Sequence, residues 1–253
     1  MQVKDILIAA GGLGTRMYNL TQGKLSKLLL PIGSQRIIDL AIIEAIESGA
    51  ENIYVIVKNK NSDVLKYLKS SKVSNRINFL FQPSPNGPED AFYYAKDYIK
   101  SKYFGVIFPD TIIKSNQPAL LQIIKYNSKL DTPVLGYITL LKKDFKYTGH
   151  VYDFESEKYK DEVQIKRILP KYNDYQLNTL KQGKIFCRYI LPTSFFKYYE
   201  STREEYSERK DNAPTLKNMI SKEKILAIPL KGTFFDTGLP EGYNRAKSIL
   251  TRH

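Results

Sequence analysis

The sequence predicts an α/β fold: a Rossmann-like, mixed and mostly parallel central sheet flanked by helices. Apolar segments of strand length alternate with amphipathic segments of helical period from the start of the chain to about residue 140. The apolar segments are hydrophobic throughout, which is typical of strands covered on both faces. With 253 residues, of which 42% are hydrophobic, the chain is long enough to bury a sizeable core as one domain over 1–253.

In chain order, the first apolar segment predicts a strand over Lys4–Ala10, because a Gly pair ends it. After a Gly- and Lys-rich loop, Gln35–Ser48 carries a wide apolar stripe with Gly49 as a C-terminal stop signal, so a helix is predicted there. Pro88–Ile99 is also predicted as a helix, because it begins with Pro, continues with acidic residues and carries Lys near its end. The same reasoning predicts strands at Asn52–Val57, Ile77–Phe81, Phe104–Phe108 and Val134–Leu140, and helices at Asn61–Lys69 and Pro118–Tyr126.

Beyond residue 140 the alternation is less regular, and the stretch Tyr147–Lys184 is polar with few clear elements. Neither an internal repeat nor a low-complexity linker interrupts the chain. One domain with a regular first half (1–140) and a less regular second half (141–253) is therefore the simplest description. The remaining predicted elements are strands at Ile185–Leu191 and Ile225–Pro229, and helices at Thr193–Glu200, Ala213–Ser221 and Pro240–Leu250.

The charge balance is strongly basic: 39 Lys and Arg residues stand against 26 Asp and Glu residues, which gives a formal net charge of +13. Clustered Lys and Arg are typical of nucleic-acid binding, which is one alternative function. The basic residues are scattered along the whole chain, however, and form no long block of like charge. We therefore expect a Lys-rich surface and no nucleic-acid partner.

Cysteine and histidine are scarce. The single Cys excludes a disulfide framework, an all-cysteine zinc site and a cysteine-ligated iron–sulfur cluster. The presence of two His residues argues against a His-rich metal site. No segment approaches the roughly 18 apolar residues of a transmembrane helix. The apolar run Ile6–Ala10 is also shorter than the hydrophobic region of a signal peptide. We expect no membrane partner and a cytoplasmic location.

The segment after the first predicted strand, Gly11–Arg16 (GGLGTR), carries the clearest chemical signal. A Gly-rich turn at this place lets backbone N–H groups approach a phosphate closely. It matches neither common template, since Met17 replaces the last Gly of the dinucleotide fingerprint and no Gly-Lys pair is followed by Ser or Thr. Arg16 and Lys27 are two cations that can hold a nucleoside triphosphate and neutralise charge at its α-phosphorus. A tight turn with surface cations is the alternative.

Five motifs, taken in order, carry a resemblance to a known family. The glycine loop and the segment Ser26–Ile32 (SKLLLPI) together form the first motif, and Gln82–Gly87 (QPSPNG) and Phe108–Asp110 (FPD) are the second and third. Tyr147–Gly149 (YTG) and Gly232–Tyr243, with FDTG and PEGY, complete the set. Together they resemble the sugar-1-phosphate nucleotidyltransferases, in particular bacterial-type UTP–glucose-1-phosphate uridylyltransferases and glucose-1-phosphate thymidylyltransferases. The resemblance covers nearly the whole chain, and the order of the motifs is more specific than any one of them.

The resemblance implies that the chain joins an NTP, with UTP or dTTP favoured, to a glucose-1-phosphate-like sugar-1-phosphate and releases pyrophosphate. Arg16 would grip the triphosphate, and Lys27 would bridge the α-phosphate and the sugar phosphate. Asp110 and Asp236 would hold Mg²⁺, in the nucleotide-binding half (1–140) and in the sugar-binding and second metal-site half (141–253) respectively. The residues implied for the nucleotide are Ala10, Gly11, Gly12, Gly14, Thr15, Gln82 and Gly87, and those implied for the sugar are Gly149 and Lys171.

Two departures from the family pattern matter most. The Pro that precedes the catalytic Lys in the family is Ser26 here, which we expect to loosen the loop without changing its charge. The family's Glu-Lys-Pro sugar contact corresponds best to Ile168–Lys171 (ILPK), where apolar residues replace Glu and Lys. A compensating cation can come from Lys166, Arg167 or Lys171, and the sequence does not choose among them.

Three alternatives therefore stay open beside the main interpretation. The acceptor can be a non-glucose sugar phosphate or a non-sugar phosphate, and the nucleotide can be CTP. The chain can also be a catalytically weak, nucleotide-binding regulatory homologue. From the resemblance we further expect a homo-oligomer, either a dimer or a tetramer.

Overall fold

A computed structural model of the chain describes residues 3–84, 86–149, 151–159, 162–169, 172, 181–204 and 214–251. Most of its longer strands coincide with apolar segments rich in Ile, Val, Leu and Phe, which pack well on a pleated, covered surface. In these ranges the strands are β1 (Val3–Ala9), β2 (Pro31–Ile32), β3 (Gln35–Arg36), β4 (Asn52–Val57), β5 (Ile77–Phe81), β6 (Tyr103–Ile107), β7 (Thr111–Lys114), β8 (Val134–Leu141), β9 (Phe154–Tyr159), β10 (Glu162–Ile168), β11 (Gln182–Pro192), β12 (Ile225–Pro229) and β13 (Thr233–Asp236).

The helices begin and end at recognisable local signals. Pro88 and Pro240 each occupy the first turn of a helix, where the missing N–H group costs nothing. No helix in the described ranges is both long and apolar enough to span a membrane. The helices are α1 (Tyr18–Thr21), α2 (Ile37–Glu47), α3 (Asp63–Lys69), α4 (Pro88–Tyr93), α5 (Ala119–Leu130), α6 (Phe195–Thr202), α7 (Pro214–Lys222) and α8 (Pro240–Leu250).

The main sheet has the strand order β5-β4-β1-β6-β11-β8-β12-β10-β9. The first four strands are parallel to one another, and β8 pairs in parallel with β12. β11 runs antiparallel between β6 and β8, and β10 and β9 form an antiparallel edge. The predicted mixed, mostly parallel sheet is therefore confirmed. Because parallel strands end at the same edge, the loops after β1, β5 and β6 leave the sheet side by side.

Both faces of the sheet are covered. Along β1, Ile6 and Ile8 belong to one buried cluster, which includes apolar residues of α2, α5 and α8. Leu7, which points to the opposite face, belongs to a second cluster with residues of α4, α6 and α7. This arrangement explains why consecutive residues of a central strand, such as Ile6, Leu7 and Ile8, are all apolar.

Two sequence expectations need correction, and one lies partly outside the described residues. The predicted helix Pro88–Ile99 ends at Tyr93, because the following residues tighten into turns with bonds from residue i to i+3. The polar stretch Tyr147–Lys184 contains the edge strands β9 and β10, of which only Phe154, Ile165 and Ile168 are buried. Such sparsely buried strands give no clear alternation. The first residue of the predicted helix Ala213–Ser221 lies outside the described residues, and α7 begins at Pro214.

A buried carboxylate connects α4 to α7. Glu89 is 2% exposed, and its side chain accepts the backbone N–H groups of Thr215 and Leu216, each at 3.2 Å. Burial raises the pKa of Glu89 from 4.5 to about 7, in spite of these two bonds. Between these two values the folded chain keeps a proton that the unfolded chain releases. The free energy of unfolding therefore falls as the pH rises through this window.

We expect Glu89→Gln to remove this pH dependence. The stability of the native chain relative to Glu89→Gln should decrease by about 3 kcal/mol between pH 4.5 and pH 7.5, since one pKa unit corresponds to about 1.4 kcal/mol. Urea unfolding at a series of pH values measures the difference. Glu51→Gln, at an exposed carboxylate paired with Lys4, is the control. A difference between native chain and Glu89→Gln that does not vary with pH would contradict the prediction.

Candidate active site

A cavity of about 340 Å³ opens where the loops after β1, β5 and β6 leave the sheet. It brings together side chains and backbone from four of the five motifs found in the sequence. Three sequence-predicted residues in the described part of the chain, Ala10, Gly149 and Asp236, do not line it. Ala10 is 6% exposed, and its N–H group donates to the Ile56 carbonyl. The predicted residues that line the cavity are Gly11, Gly12, Gly14, Thr15, Arg16, Lys27, Gln82, Gly87 and Asp110.

The glycine loop is pinned at its far end by an apolar residue. Met17, which stands where a dinucleotide-binding loop would carry Gly, is fully buried, and its N–H group donates to the Gly14 carbonyl at 2.9 Å. Gly14 has a φ of 65°, in the left-handed region that favours glycine. Thr15–Met17 thus form a single tight turn that holds the loop against the mouth of the cavity.

Lys27 and Asp110 form an ion pair at the centre of the cavity. The Lys27 Nζ atom lies 2.5 Å from Asp110 Oδ2, and the two side chains are 13% and 23% exposed. Ser26, expected to loosen this loop, is instead tethered: its N–H group donates to Asp63 at 2.6 Å, and its Oγ atom accepts from the Leu28 N–H group. Proline has no N–H group and no side-chain acceptor, so Ser26 adds two bonds that a Pro at this position cannot make.

Asp236 is the second carboxylate at the site, although it lies deeper. It is 3% exposed and accepts bonds from the Thr148 hydroxyl at 3.0 Å and from the N–H groups of Gly149 and Gly238 at 3.2 and 2.8 Å. β13 pairs antiparallel with β7 so that Asp236 lies opposite Thr111, the residue after Asp110. The topology thus places the two carboxylates next to each other.

The two carboxylates are close enough to influence each other. A Cβ atom on Gly238 would lie 2.9 Å from Asp236 Oδ1 and 3.1 Å from Asp110 Oδ2, which places these oxygens within about 6 Å of each other. Burial raises the pKa of Asp236, and the charge of Asp110 raises it further. Burial also acts to raise the pKa of Asp110, but Lys27 and then Arg16 outweigh it and hold that pKa below its usual value.

The donor set of this pair fits a hard divalent cation. Mg²⁺ is commonly bound by one or two carboxylates together with substrate phosphates and water, rather than by a closed protein cage. In the described part of the chain no group of three or more His, Cys, Asp or Glu residues could hold a metal ion. The carboxylates of Asp110 and Asp236 therefore fit a site of the open kind, in which substrate and water complete the coordination.

Arg16 reaches over this pair from the glycine loop. Its Nη2 atom lies 3.5 Å from the place that a Cβ atom would take on Gly238, and a Cβ atom on Gly149 would overlap its Nη1 atom. Gly149 therefore leaves the space that the guanidinium group occupies. In this way the structure brings Arg16, Gly149 and Asp236 together, although they come from distant parts of the chain.

The second half provides less of the expected sugar contact. Ile168, at the position of the family's Glu, is 8% exposed and belongs to an apolar cluster that includes Phe154. The N–H group of Leu169 donates to the Asp153 carbonyl at 3.0 Å. Lys171, predicted as a sugar-binding residue, lies outside the described residues. Ile168 therefore packs in the core and does not present a polar group to the cavity.

Comparison with known proteins decides the family. Residues 5–253 match the family model described as nucleotidyl transferase. The chain belongs to the nucleotidyl transferase family. A relative from Staphylococcus epidermidis, named UTP–glucose-1-phosphate uridylyltransferase, is 25% identical over 264 residues, which cover 96% of this chain and 90% of that protein. The resemblance inferred from the five motifs is thus confirmed at the level of the family.

Solved structures confirm the fold of this nucleotidyl transferase. A UDP-glucose pyrophosphorylase complexed with UDP-glucose has a TM-score of 0.78 at 22% identity, and the match covers 97% of both chains. The UTP-bound enzyme from Acinetobacter baumannii has a TM-score of 0.76 at 18% identity, with 97% of this chain and 92% of that chain covered. The chain therefore has the same architecture as both of these enzymes along almost its whole length.

Sequence reasoning missed three residues that hold the site together. Thr148 and Thr237 bind the two carboxylate loops, and Thr237 does so through its N–H group and its hydroxyl, both on the Asp110 carbonyl. Asp90, in the first turn of α4, contacts Gln82. Thr148 and Thr237 each lie inside one of the sequence motifs. Their positions directly next to Gly149 and Asp236 are the sequence signal that could have identified them.

For this nucleotidyl transferase we expect Gly149→Ala to act through Arg16. The new methyl group would displace the guanidinium, and a misplacement of about 1 Å can cost roughly 100-fold in kcat/KM. A double-mutant cycle with Arg16→Ala checks the cause. In the Arg16→Ala background, Gly149→Ala should have almost no further effect. Two full and additive losses would show instead that Gly149 acts independently of Arg16.

Proposed function

We propose that this nucleotidyl transferase joins UTP or dTTP to a glucose-1-phosphate-like sugar phosphate and releases pyrophosphate. The observation that carries the proposal is the Lys27–Asp110 ion pair, placed beside the glycine loop and within reach of Asp236. The similarity to the S. epidermidis UTP–glucose-1-phosphate uridylyltransferase supports the choice of uridylyl transfer and of glucose-1-phosphate. The glycine loop and the two cations supply the contacts that a triphosphate needs.

In the proposed reaction, an oxygen of the sugar phosphate attacks the α-phosphorus of the nucleotide. The new bond joins this oxygen to the α-phosphorus, while the bond to the β-phosphate oxygen breaks and pyrophosphate leaves. Lys27 would hold the α-phosphate and the attacking phosphate together, and Arg16 would neutralise the leaving group. Phosphoryl transfer of this kind needs positioning and charge neutralisation rather than a covalent intermediate.

We propose Asp110 and Asp236 as the residues that hold Mg²⁺. When bound, the ion supplies positive charge at the phosphate oxygens. Lys27, which is paired with Asp110, would place its ammonium group between this carboxylate and the substrate phosphates and attract both anions. The deep Asp236 side chain is already oriented by three donors, so it needs no rearrangement to act as a ligand.

A second candidate concerns the acceptor. Ile168 and Leu169 replace the Glu-Lys pair of the family, and Ile168 is buried in apolar surroundings. This observation favours an acceptor other than glucose-1-phosphate, either another sugar phosphate or a small phosphorylated alcohol or amine. The nucleotide half is unaffected by this difference, because Ile168 does not line the cavity.

The test is pyrophosphate release with a panel of UTP, dTTP and CTP against several sugar-1-phosphates and non-sugar phosphates, all with Mg²⁺. Turnover with UTP or dTTP and glucose-1-phosphate is the expected result. Turnover only with another acceptor would favour the second candidate. A folded chain that binds a nucleotide and turns over no pair would reject transfer and favour a regulatory homologue.

A further inference from the structure

Gln82 is held from behind by a carboxylate that the reaction itself does not use. Its Nε2 atom donates to Asp90 Oδ2 at 2.6 Å and to the Gly87 carbonyl at 3.1 Å. Gln82 and Asp90 are 4% and 3% exposed, so this network is almost entirely closed to solvent. Gln82 still lines the cavity together with Gly11 and Gly87.

These contacts determine whether the nitrogen or the oxygen of the Gln82 amide faces the cavity. A backbone carbonyl accepts hydrogen bonds but cannot donate them, and the same holds for an ionised carboxylate. With two acceptors on one side, the amide nitrogen has to point toward Asp90 and the Gly87 carbonyl. The oxygen is left on the side of Gly11, where a Cβ atom would lie 3.3 Å from it. Among the described residues no hydrogen-bond donor is recorded for this oxygen, so it is available to a ligand.

Asp90 is itself fixed in place. The hydroxyl group of Tyr199, on α6, donates to its Oδ1 atom. Tyr199 is 1% exposed, and its ring packs against that of Tyr93 with centroids 4.8 Å apart. Burial, followed by the bond to Asp90, raises the pKa of Tyr199, so its hydroxyl stays protonated and remains a donor. Both carboxylate oxygens of Asp90 are thus engaged, one to each partner.

We propose that Asp90 is a positioning residue that fixes the amide oxygen of Gln82 toward the base. An acceptor in this position selects a base with an N–H group at N3, which is uracil or thymine. Cytosine has a lone pair at N3, and an oxygen facing it would be repelled. This inference rests on the proposed function, because it assumes that the nucleotide base binds beside Gln82.

Asp90→Asn tests the proposal with almost no change in size. Asn keeps an oxygen for Tyr199 and turns its amide nitrogen toward Gln82, which favours rotation of the Gln82 amide. The NH₂ group of Gln82 then faces the base. We expect UTP to bind about tenfold more weakly and CTP to bind more tightly, as for one hydrogen bond lost or gained. The dissociation constant for CTP divided by that for UTP should therefore fall at least tenfold.

The measurement is calorimetric binding of UTP and of CTP, each with Mg²⁺ and without acceptor, to the full chain. The matched control is Glu89→Gln, which neutralises the neighbouring buried carboxylate that contacts α7 instead of Gln82. Its UTP-to-CTP preference should remain that of the native chain. A purely structural role for Asp90 would weaken both nucleotides equally and leave the ratio unchanged, which would overturn the inference.

Tyr199→Phe is the second variant, for use where Asp90→Asn does not fold. It removes only the hydroxyl that anchors Asp90, and we expect the ratio to fall by about two- to threefold in the same direction. If the native chain binds UTP more tightly than CTP and neither variant changes the ratio of the two dissociation constants, the positioning role of Asp90 is refuted. The proposed function is not refuted by that result. A native chain that binds neither nucleotide refutes the proposed function as well.

Discussion

Lys27→Ala is expected to lower kcat for pyrophosphate release by about 1,000-fold, the size of loss seen when a preorganised charge stabiliser is removed from a reacting centre. The ammonium group lies 2.5 Å from Asp110 and is 13% exposed, so water does not replace it freely. Lys27 and Arg16 both lower the pKa of Asp110, and the variant keeps only Arg16 of these two. Steady-state rates at saturating nucleotide measure the effect.

The matched control for this prediction is Lys24→Ala. Lys24 belongs to the same loop and carries the same charge, yet it is exposed and does not line the cavity. We expect Lys24→Ala to keep the native rate, and Lys27→Ala to keep the native circular-dichroism spectrum. If Lys27→Ala retained a rate within tenfold of the native enzyme, the cavity would not be the reacting centre.

The sequence predicts the central strands well because they are buried on both faces. β4 and β12 begin and end at the predicted residues, since each is a nearly unbroken run of apolar residues. β9 and β10 lack such a run, because this edge ribbon buries few of its residues. The predictable elements are therefore the ones whose environment is uniform along the strand.

In the candidate site, too, some features can be predicted from the sequence and others cannot. Gly11–Arg16, Gln82 and Asp110 come directly after three strands of the parallel part of the sheet, so the strand prediction already places them at one edge. The contacts that orient these groups carry no such signal. The Asp90–Gln82 bond depends on one turn of α4, and the place of Ile168 in the core depends on the register of β10 with β9. Packing fixes these relations, and local sequence does not reveal them.

One buried ion pair escaped the sequence entirely, because its partners are 144 residues apart. Arg188, on β11, donates through Nε and Nη2 to the two carboxylate oxygens of Glu44, both at 2.7 Å. Its side chain is 1% exposed and that of Glu44 12%. The same guanidinium donates to the hydroxyl and the carbonyl of Thr111, each at 2.7 Å. Arg188 thus connects α2 to the residue that follows Asp110.

We expect Arg188→Met to lower the free energy of unfolding by about 3–5 kcal/mol, because it leaves the Glu44 carboxylate buried without its partner. Glu44 keeps the N–H group of Leu120 as a donor at 2.9 Å, which is too little to compensate for a lost charge. Urea unfolding of the native chain and of the variant measures the difference. In the folded fraction of the variant the reaction rate should also fall, since Thr111 loses two of its bonds next to Asp110.

Two further variants separate the charge from the contact. Arg188→Met combined with Glu44→Leu should recover part of the lost stability, because no unpaired charge remains in the core. Arg167→Met breaks an ion pair with Glu155 whose side chains are 65% and 52% exposed, and it should cost no more than about 1 kcal/mol. Equal losses for Arg188→Met and Arg167→Met would mean that burial contributes nothing to the Arg188–Glu44 pair. A double variant less stable than Arg188→Met would mean that the unpaired carboxylate is not the cause.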